Sequence, residues 1–389
     1  MTKKWSSRLT FFAFVVLMVG LGSNDSLRGI FSTIFQEHFS LTTTQLGLIV
    51  TASYIGNLVF LLVGGNLSTR FSKKRVLQVL ILIWMAALAL FAFTSNYTVL
   101  LIGMALALGS STLLNTTMNL ITPLLFATAP GFFVNFLFFT QEIGTSGSQY
   151  ILGSHADGFA FWQHTNLVLL ILGAVAFVLL LFCNVPEEAA DPADTPAQKG
   201  GYDWRIIVLY VLVFGFYFIA EHGVMNWMVA YGVDGLGLPQ ASAAKYLSVF
   251  FGGMMIGRLC LSPLVDKLGA LKSLAAFGGV SCVLYLIGSL GGAVTMPVWA
   301  ISGLSFSILY PTLVMSIRLY FPAQQVSGAA GTILSIASLA DILFNVGFGK
   351  LVDMAGYAVS IRVLPLSVLA FFIVFMLFTK FCKPTQKLK

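Results

Sequence analysis

The stretch VPEEAADPADTPAQKGGYD, residues 185–203, divides the chain near its middle. It holds three prolines, two adjacent glycines and five of the fourteen acidic residues, a composition that cannot bury itself and is typical of a flexible linker. The sequence on either side is strongly apolar. Arg75 and Glu142 enclose 66 residues without Asp, Glu, Lys or Arg, and Lys272 and Arg318 enclose 45. A polar linker between two such halves predicts two bundles of membrane helices.

The overall composition agrees with this prediction. Of 389 residues, 58% are hydrophobic and 9% are charged, and the mean hydropathy is +0.92, whereas a soluble chain carries about a quarter charged residues. A membrane helix uses about 20 apolar residues, so this length supplies roughly a dozen helices with short connections. Soluble catalytic domains, nucleic-acid readers and secreted modules are therefore excluded.

Apolar windows and their polar or Gly/Pro breaks predict twelve spans, six before the linker and six after it. The predicted fold is an all-α membrane protein of twelve transmembrane helices in two pseudo-symmetric six-helix bundles, residues 1–184 and 204–389, joined by a cytoplasmic linker, 185–203. The spans are expected at about 10–35, 45–67, 76–94, 98–124, 131–153, 166–184, 205–231, 242–263, 272–291, 295–319, 326–349 and 360–381.

An internal repeat supports the duplication. GGNLSTRFSKKR, residues 64–75, follows span two, and LSPLVDKLGALK, residues 261–272, follows span eight, at an offset of 197 residues. The candidate function of these loops is gating, through a contact that breaks when the protein changes conformation. The candidate gating residues are Arg70, Arg75, Asp266 and Lys267.

The basic residues predict the orientation. With the N-terminus inside, the inner segments hold sixteen of the 21 Lys and Arg residues, and the outer segments hold Arg28, Lys245, Lys350 and Arg362. We therefore expect a multi-pass protein of the inner (cytoplasmic) membrane, with both termini in the cytoplasm.

Patterns of soluble enzymes are missing from the sequence. It contains no phosphate-binding glycine loop, nucleophile elbow or paired-histidine metal signature. The sequence thus predicts neither an enzyme nor a cofactor or metal, and no nucleic-acid partner. Without a nucleotide site, any work that the chain does across the membrane must draw its energy from an ion gradient or from the gradient of a solute.

Asp25 is an acidic residue within the first apolar span, GLGSNDSLRG, directly after Asn24. A charge at the bilayer centre costs at least about 2.5–3.5 kcal/mol, so such a residue needs a reason to be there. Asp25 could bind a proton or cation, because burial makes protonation of a carboxyl a usable step. The alternative is an ion pair with Arg28, one helical turn away.

Glu221 lies in span seven, followed by Asn226 and Trp227. Rings and amides beside a carboxyl form the usual surface for a sugar, because C–H faces pack on rings and hydroxyls need polar partners. The alternative is a structural Glu221, satisfied by His222 or Arg258.

Three further polar positions leave two alternatives each. Glu142 is open to substrate contact or structural pairing, and the glycines after it, Gly144 and Gly147, would allow close helix contact. Asp341, near Asn345, is open to the same two roles. Asn115 and Asn119 are four residues apart and share a helical face, where they either bind neighbouring helices or contact a polyhydroxyl ligand.

The twelve spans, the linker and the repeated loop resemble the major facilitator superfamily over almost the whole chain, although Thr69 stands where its signature loop usually has Asp. A narrower likeness is to the fucose, galactose and glucose proton symporters. It rests on Asn24-Asp25, on Asn115–Asn119, on Gln141–Gly144, on Gly257-Arg258 and on GLSFSILYPT, residues 303–312, which contains Tyr310. The sequence departs from that pattern at Asn115, usually Glu or Gln, at Leu120, usually Pro, and at Glu142, usually Asn.

The resemblance implies a coupling or sugar-contacting role for Asp25 and sugar contacts at Asn115 and Asn119. We therefore expect a monomeric secondary transporter that moves a small polar solute, a sugar, by proton-coupled symport with alternating access. The candidate proton-coupling residues are Asp25, Glu142 and Glu221, and the candidate solute contacts are Asn24, Asp25, Asn115, Asn119, Gln141, Glu142, Glu221, Asn226, Trp227 and Tyr310. The alternatives are a proton-coupled exporter of drugs or metabolites, which the 35 phenylalanines favour, and a membrane sensor.

Overall fold

The computed structural model describes residues 3–126, 130–183, 185–186 and 203–384. The chain separates into two compact units, Met1–Asp191 and Pro192–Lys389. The predicted linker, 185–203, lies outside the described residues except at its two ends.

The described residues of the first unit form six long helices and one short one. The short helix, α2, follows α1 after a break at Phe31, so the first predicted span, 10–35, is divided. The last helix begins at Phe159, directly after Gly158, rather than near residue 166. The helices are α1 Lys3–Ile30, α2 Ser32–His38, α3 Thr43–Arg70, α4 Lys73–Phe93, α5 Tyr97–Leu125, α6 Pro130–Ile151 and α7 Phe159–Phe182.

The second unit repeats this plan with more interruptions. Its first helix ends in a π-helical turn, Tyr231–Gly235, and the segment predicted as one span at 295–319 is divided into three α-helices and a final 3₁₀ turn, Ile317–Leu319. The helices are α8 Trp204–Ala230, α9 Gln240–Leu268, α10 Ala270–Leu290, α11 Met296–Ile301, α12 Gly303–Phe306, α13 Leu309–Ser316, α14 Ala323–Ala355, α15 Tyr357–Ser360 and α16 Val363–Phe381.

The two units share one pairing order. In the first unit α1 packs along α6, and α3 along α5. In the second unit α8 packs along α14, and α9 packs along α11 and α12. In each unit, therefore, the first span contacts the fifth and the second contacts the fourth, as a duplicated six-helix architecture requires.

Eleven helical segments of the described chain are long and apolar enough to cross a membrane. The helix α6 is not among them, and its second half reads TQEIGTSGSQ. A polar helix of this kind is stable within a membrane protein when its polar face lies against other helices or water rather than lipid. The position of α6 therefore decides where the polar site of the first unit lies.

Local sequence signals set several helix ends. The side chains of Ser72, Asn96 and Asp203 accept hydrogen bonds from backbone N–H groups in the first turns of α4, α5 and α8. Gly269 separates α9 from α10 at a φ of 82°, a conformation that side chains with a Cβ rarely adopt. At the end of α7, the Lys74 ammonium donates to the carbonyls of Leu181, at 3.0 Å, and Cys183, at 2.7 Å.

Candidate functional site

A polar cluster in the first unit joins α1, α5 and α6. Ser111, Asn115 and Asn119 repeat every four residues along α5 and therefore lie on one face of that helix. Ser111 Oγ lies 3.4 Å from Asp25 Oδ1 and 3.5 Å from Asp25 Oδ2, which joins α5 to α1. The Asn115 amide donates to Gln141 Oε1 at 2.7 Å, which joins α5 to α6.

The amides of this cluster form a directed chain of hydrogen bonds. Asn119 Nδ2 donates to Asn115 Oδ1 at 2.6 Å, and Asn115 in turn donates to Gln141. The buried acceptor Asn119 Oδ1 has no hydrogen-bond partner among the described residues. Asp25, Asn115 and Gln141 are half-buried, so the cluster is reachable without being open to bulk water. Such a set of donors and acceptors can bind a polyhydroxyl molecule.

The neighbours of Asp25 are compatible with both roles predicted from the sequence, proton or cation binding and an ion pair with Arg28. Asn24 is buried on the same helix, and the charge of Arg28 acts on the Asp25 carboxyl. Arg28 is itself buried, and its guanidinium carbon lies 5.4 Å from the centre of the Tyr54 ring. Glu142 is half-buried, one residue beyond Gln141.

Two glycines bring α1 and α6 into backbone contact at this cluster. A Cβ on Gly144 would lie 2.1 Å from the Val19 carbonyl oxygen, and one on Gly22 would lie 2.0 Å from the Gln141 carbonyl oxygen. Thr145 Oγ1 donates to the Gly22 carbonyl at 3.2 Å across the same contact. Gly147, also predicted to allow close packing, has no atom within 4 Å of its Cβ position and does not take part.

A second cluster, in the second unit, surrounds Glu221 with tyrosines. The Glu221 carboxyl acts electrostatically on the hydroxyls of Tyr217, Tyr285 and Tyr310. Tyr217 and Tyr310 stack with their ring centres 6.0 Å apart. Arg258 acts on the same two hydroxyls. Glu221, Arg258 and Tyr310 are half-buried, and this cluster offers a carboxyl, a guanidinium and phenol rings to a ligand.

The structure does not bring Asn226 and Trp227 to the surface that carries Glu221. Trp227 is fully buried, and its indole N–H donates to Asn345 Oδ1 on α14 at 2.9 Å. Asn226 is 2% exposed. Trp227 comes six residues after Glu221, which at about 100° per residue turns it about 240° around the helix. The predicted surface of Glu221, Asn226 and Trp227 is therefore not formed.

His222 does not face the same partner as Glu221. His222 Nδ1 lies 2.6 Å from Asp341 Oδ2, across the contact between α8 and α14. The Asn345 amide donates to the Asp341 backbone carbonyl at 2.8 Å. The pair of Asp341 and Asn345, singled out in the sequence, thus belongs to a polar network that joins α8 to α14.

The candidate gating residues are only partly described. The side chains of Arg70 and Asp266 lie outside the described part of the structure. Lys267 is exposed at the end of α9, and Arg75 lines an apolar groove of about 900 Å³ on α3, α4 and α7. The exposed valines and leucines of this groove indicate a lipid-facing surface, so Arg75 does not share a site with Asp25.

Sequence reasoning missed three site residues, Ser111, Tyr217 and Tyr285, and it considered Glu221 rather than Asp341 as the partner of His222. Ser111 precedes Asn115 by four residues and Tyr217 precedes Glu221 by four, so helical spacing alone could have found both. Tyr285 lies on α10 and has no such signal. The partner of His222 is 119 residues away in the chain.

Comparison with known proteins agrees with this architecture. The family model described as Major Facilitator Superfamily matches residues 10–340. The chain is 25% identical over 331 residues to the L-fucose-proton symporter of Escherichia coli (strain K12), covering 74% of this chain and 75% of that protein. It is 27% identical over 340 residues to a glucose/galactose transporter of Brucella abortus biovar 1 (strain 9-941), covering 82% and 81%.

Solved structures show the same fold. The crystal structure of a D-xylose-proton symporter superposes with a TM-score of 0.77 at 15% identity, covering 99% of both chains. An outward-conformation structure of the transporter FucP superposes with a TM-score of 0.67 at 20% identity, covering 96% of this chain and 99% of that one. The predicted all-α, twelve-helix fold is confirmed. The chain belongs to the major facilitator superfamily, and it is a multi-pass membrane transporter and not an enzyme.

Proposed function

We propose that this protein is a proton-coupled symporter that moves a small polar solute of the sugar class by alternating access. Its two six-helix bundles, residues 1–184 and 204–389, are joined by a cytoplasmic linker, and both termini face the cytoplasm. The protein acts as a monomer in the cytoplasmic membrane. The names of the Escherichia coli and Brucella relatives, which refer to fucose, protons, glucose and galactose, support this proposal at the level of the family.

The observation that carries the proposal is the hydrogen-bonded cluster of the first unit. Within apolar helices, Asn119 donates a hydrogen bond to Asn115, and Asn115 donates one to Gln141. Ser111, on the same face of α5, lies beside Asp25 of α1. Burying an amide costs free energy unless it is hydrogen-bonded. Asn119 Oδ1 has no partner among the described residues, so this cluster suits a ligand that supplies hydroxyl groups. Sugars carry both donors and acceptors on each hydroxyl.

The Glu221 cluster supplies the aromatic part of sugar recognition. Half-buried Tyr310 presents its ring and hydroxyl beside Glu221, and the fully buried Tyr217 stacks against that ring. Sugar C–H faces pack on such rings. We propose Glu221 and Tyr310 as solute contacts in the second unit. Because Asn226 and Trp227 are buried away from Glu221, we assign them to the packing of α8 instead.

Asp25 is the coupling acid in this proposal. An ionised carboxyl in the membrane interior is expensive, and a bound proton removes the charge. The loaded carrier therefore reorients with Asp25 neutral, and it releases the proton on the side where the proton concentration is lower. Glu142 and Glu221 are the further candidates for proton binding.

Reconstituted protein tests the proposal directly. Counterflow in liposomes with a panel of labelled sugars reports solute exchange without a proton gradient, and an imposed pH gradient reports coupled accumulation. We expect counterflow of at least one hexose by the wild type. We expect Asp25→Asn to lose accumulation and to keep counterflow, because exchange requires no net proton movement.

A matched pair on α5 tests the binding cluster. Asn115→Ala removes the amide that links Asn119 to Gln141 and, with it, a proposed hydrogen bond to the solute. A hydrogen bond contributes about 0.5–1.5 kcal/mol, so we expect solute affinity to fall roughly 2- to 13-fold. Thr116→Ala is the control, because Thr116 is exposed and its hydroxyl donates to the Thr112 carbonyl of its own helix.

Three results would contradict the proposal. Equal solute affinity in Asn115→Ala and Thr116→Ala would remove the binding role of the cluster. Accumulation by Asp25→Asn at the wild-type level would remove the coupling role of Asp25. Thermal stabilisation by lipophilic cations but by no hexose would favour the exporter of drugs or metabolites.

A further inference from the structure

The second unit contains an acid–base pair that the proposed solute site does not use. His222 Nδ1 lies 2.6 Å from Asp341 Oδ2, where the first helix of the unit, α8, packs along α14. The Asp341 side chain is 2% exposed and that of His222 is 25% exposed. Both residues lie inside segments that are long and apolar enough to cross the membrane.

The environment of the second Asp341 oxygen, Oδ1, makes the stability of the carboxylate depend on the charge of His222. Asp341 Oδ1 is buried and has no hydrogen-bond partner among the described residues. An ionised carboxylate in that position is only partly satisfied, and a buried carboxylate requires a nearby positive charge. His222, whose Nδ1 lies 2.6 Å from Asp341 Oδ2, can supply this charge when its imidazole is protonated, and an imidazole changes its charge near neutral pH.

The geometry specifies which nitrogen exchanges the proton. Nδ1 is bonded to Asp341, so Nδ1–H is the donor and Nε2 is the atom that gains or loses a proton. The partial exposure of His222 gives its ring access to water, while the buried carboxyl has none. Phe218 stacks on the imidazole at a ring-centre distance of 5.4 Å and an interplanar angle of 8°, which holds the ring in this orientation.

The titratable groups to weigh beside the pair belong to α8 and to the helices packed against it. On α8 the neighbouring acid is Glu221, which acts on Tyr217, Tyr285 and Tyr310. Arg258 of α9 acts on Tyr217 and Tyr310. On α14, residues 334–348 contain no other acid or base, and on α16 none lies between Val363 and Thr379. The titratable and charged groups to consider are therefore Glu221, Arg258, Tyr217, Tyr285 and Tyr310.

We infer that His222 and Asp341 form a second proton-binding site, distinct from Asp25, whose occupancy changes during the transport cycle. With a proton on Nε2 the pair is an imidazolium and a carboxylate with no net charge. After the proton leaves Nε2 for water, a neutral imidazole and a buried carboxylate remain, and the net charge is −1. The contact between α8 and α14 is thus stronger when the proton is bound. This inference rests on the proposed proton-coupled function.

Two substitutions in the second unit and a matched control test this site. His222→Gln and Asp341→Asn each remove the proton-binding pair, and the double variant removes both groups. His164→Gln makes the same change at an exposed histidine of α7. We expect both single variants to lose at least tenfold in pH-driven accumulation while counterflow stays within twofold of wild type, and the double variant to be no worse than either single variant.

A second measurement does not depend on the solute. The melting temperature of the purified wild type, measured from pH 5 to pH 8, is expected to fall as the pH rises, because the bound proton is lost. The fall should be reduced in His222→Gln and unchanged in His164→Gln.

The outcomes separate this site from the proposed function. Absence of hexose counterflow in the wild type would overturn the sugar assignment, and the melting curves would still test the pair. Wild-type accumulation in His222→Gln, or a parallel loss of counterflow and accumulation with a lowered melting temperature at every pH, would overturn the inference. The parallel loss would mean that the pair only holds α8 to α14.

Discussion

The contact between α1 and α6 gives the sharpest stability prediction. In Gly144→Ala the new Cβ would lie 2.1 Å from the Val19 carbonyl oxygen and 2.9 Å from its carbon, and both are backbone atoms. To reach even 3.0 Å from the oxygen, the helices must separate by about 0.9 Å. Overpacking of this kind costs about 1–3 kcal/mol, and the upper end applies because backbone cannot rotate away.

The separation would also weaken two hydrogen bonds that cross the contact. Ser23 Oγ donates to the Gly144 carbonyl at 3.3 Å, and Thr145 Oγ1 donates to the Gly22 carbonyl at 3.2 Å. Each is worth about 0.5–1.5 kcal/mol, so the total loss is about 3–5 kcal/mol after the gain of up to about 1 kcal/mol for Ala over Gly in a helix. For a unit of 191 residues this corresponds to about 6–20 °C in melting temperature.

Gly147→Ala is the matched control for this prediction. It lies one turn further along α6, it gains the same helix propensity, and its Cβ position has no atom within 4 Å. The assay is thermal unfolding of both variants in detergent, followed by circular dichroism. Equal melting temperatures for Gly144→Ala and Gly147→Ala would refute the close approach of α1 and α6.

Three further predictions concern single groups. Trp227→Phe removes the donor to Asn345, so we expect a loss of about 1–2 kcal/mol in thermal unfolding, with solute affinity unchanged in a binding titration. Lys74→Met leaves the Leu181 and Cys183 carbonyls without their donor, and increased hydrogen exchange at the end of α7 would be measured by mass spectrometry. Burial raises the pKa of the Cys183 thiol, so its alkylation should be slow at pH 7 and accelerate above pH 9, whereas rapid labelling at pH 7 would contradict its burial.

The fold was predictable because it rests on composition and on signals that act along the chain. The polar linker, the charge-free stretches and the repeated loops each report a property of the sequence that lipid imposes directly. The interruptions of the tenth span, at Ser302 and at Ser307 and Ile308, carry no such signal, because their residues are as apolar or as small as those of a continuous helix.

The candidate site was predictable only in part. The repeat of Ser111, Asn115 and Asn119 follows from helical geometry, but the choice of Gln141 as a partner depends on how α5 meets α6. The partnership of His222 with Asp341 depends in the same way on packing between distant segments. The error in placing Trp227 beside Glu221 was avoidable from the sequence, because a spacing of six residues already turns Trp227 away from Glu221 on a helix.

The order of the amides in α5 and α6 restricts what can join them. The side-chain amides donate in one direction, from Asn119 to Asn115 and from Asn115 to Gln141. The first acceptor of this hydrogen-bonded series, Asn119 Oδ1, has no donor among the described residues. A molecule that extends the chain at that end must bring an O–H or N–H. An alcohol can donate its O–H to Asn119 Oδ1. A fully ionised carboxylate is only an acceptor, so its oxygens would be repelled by Asn119 Oδ1.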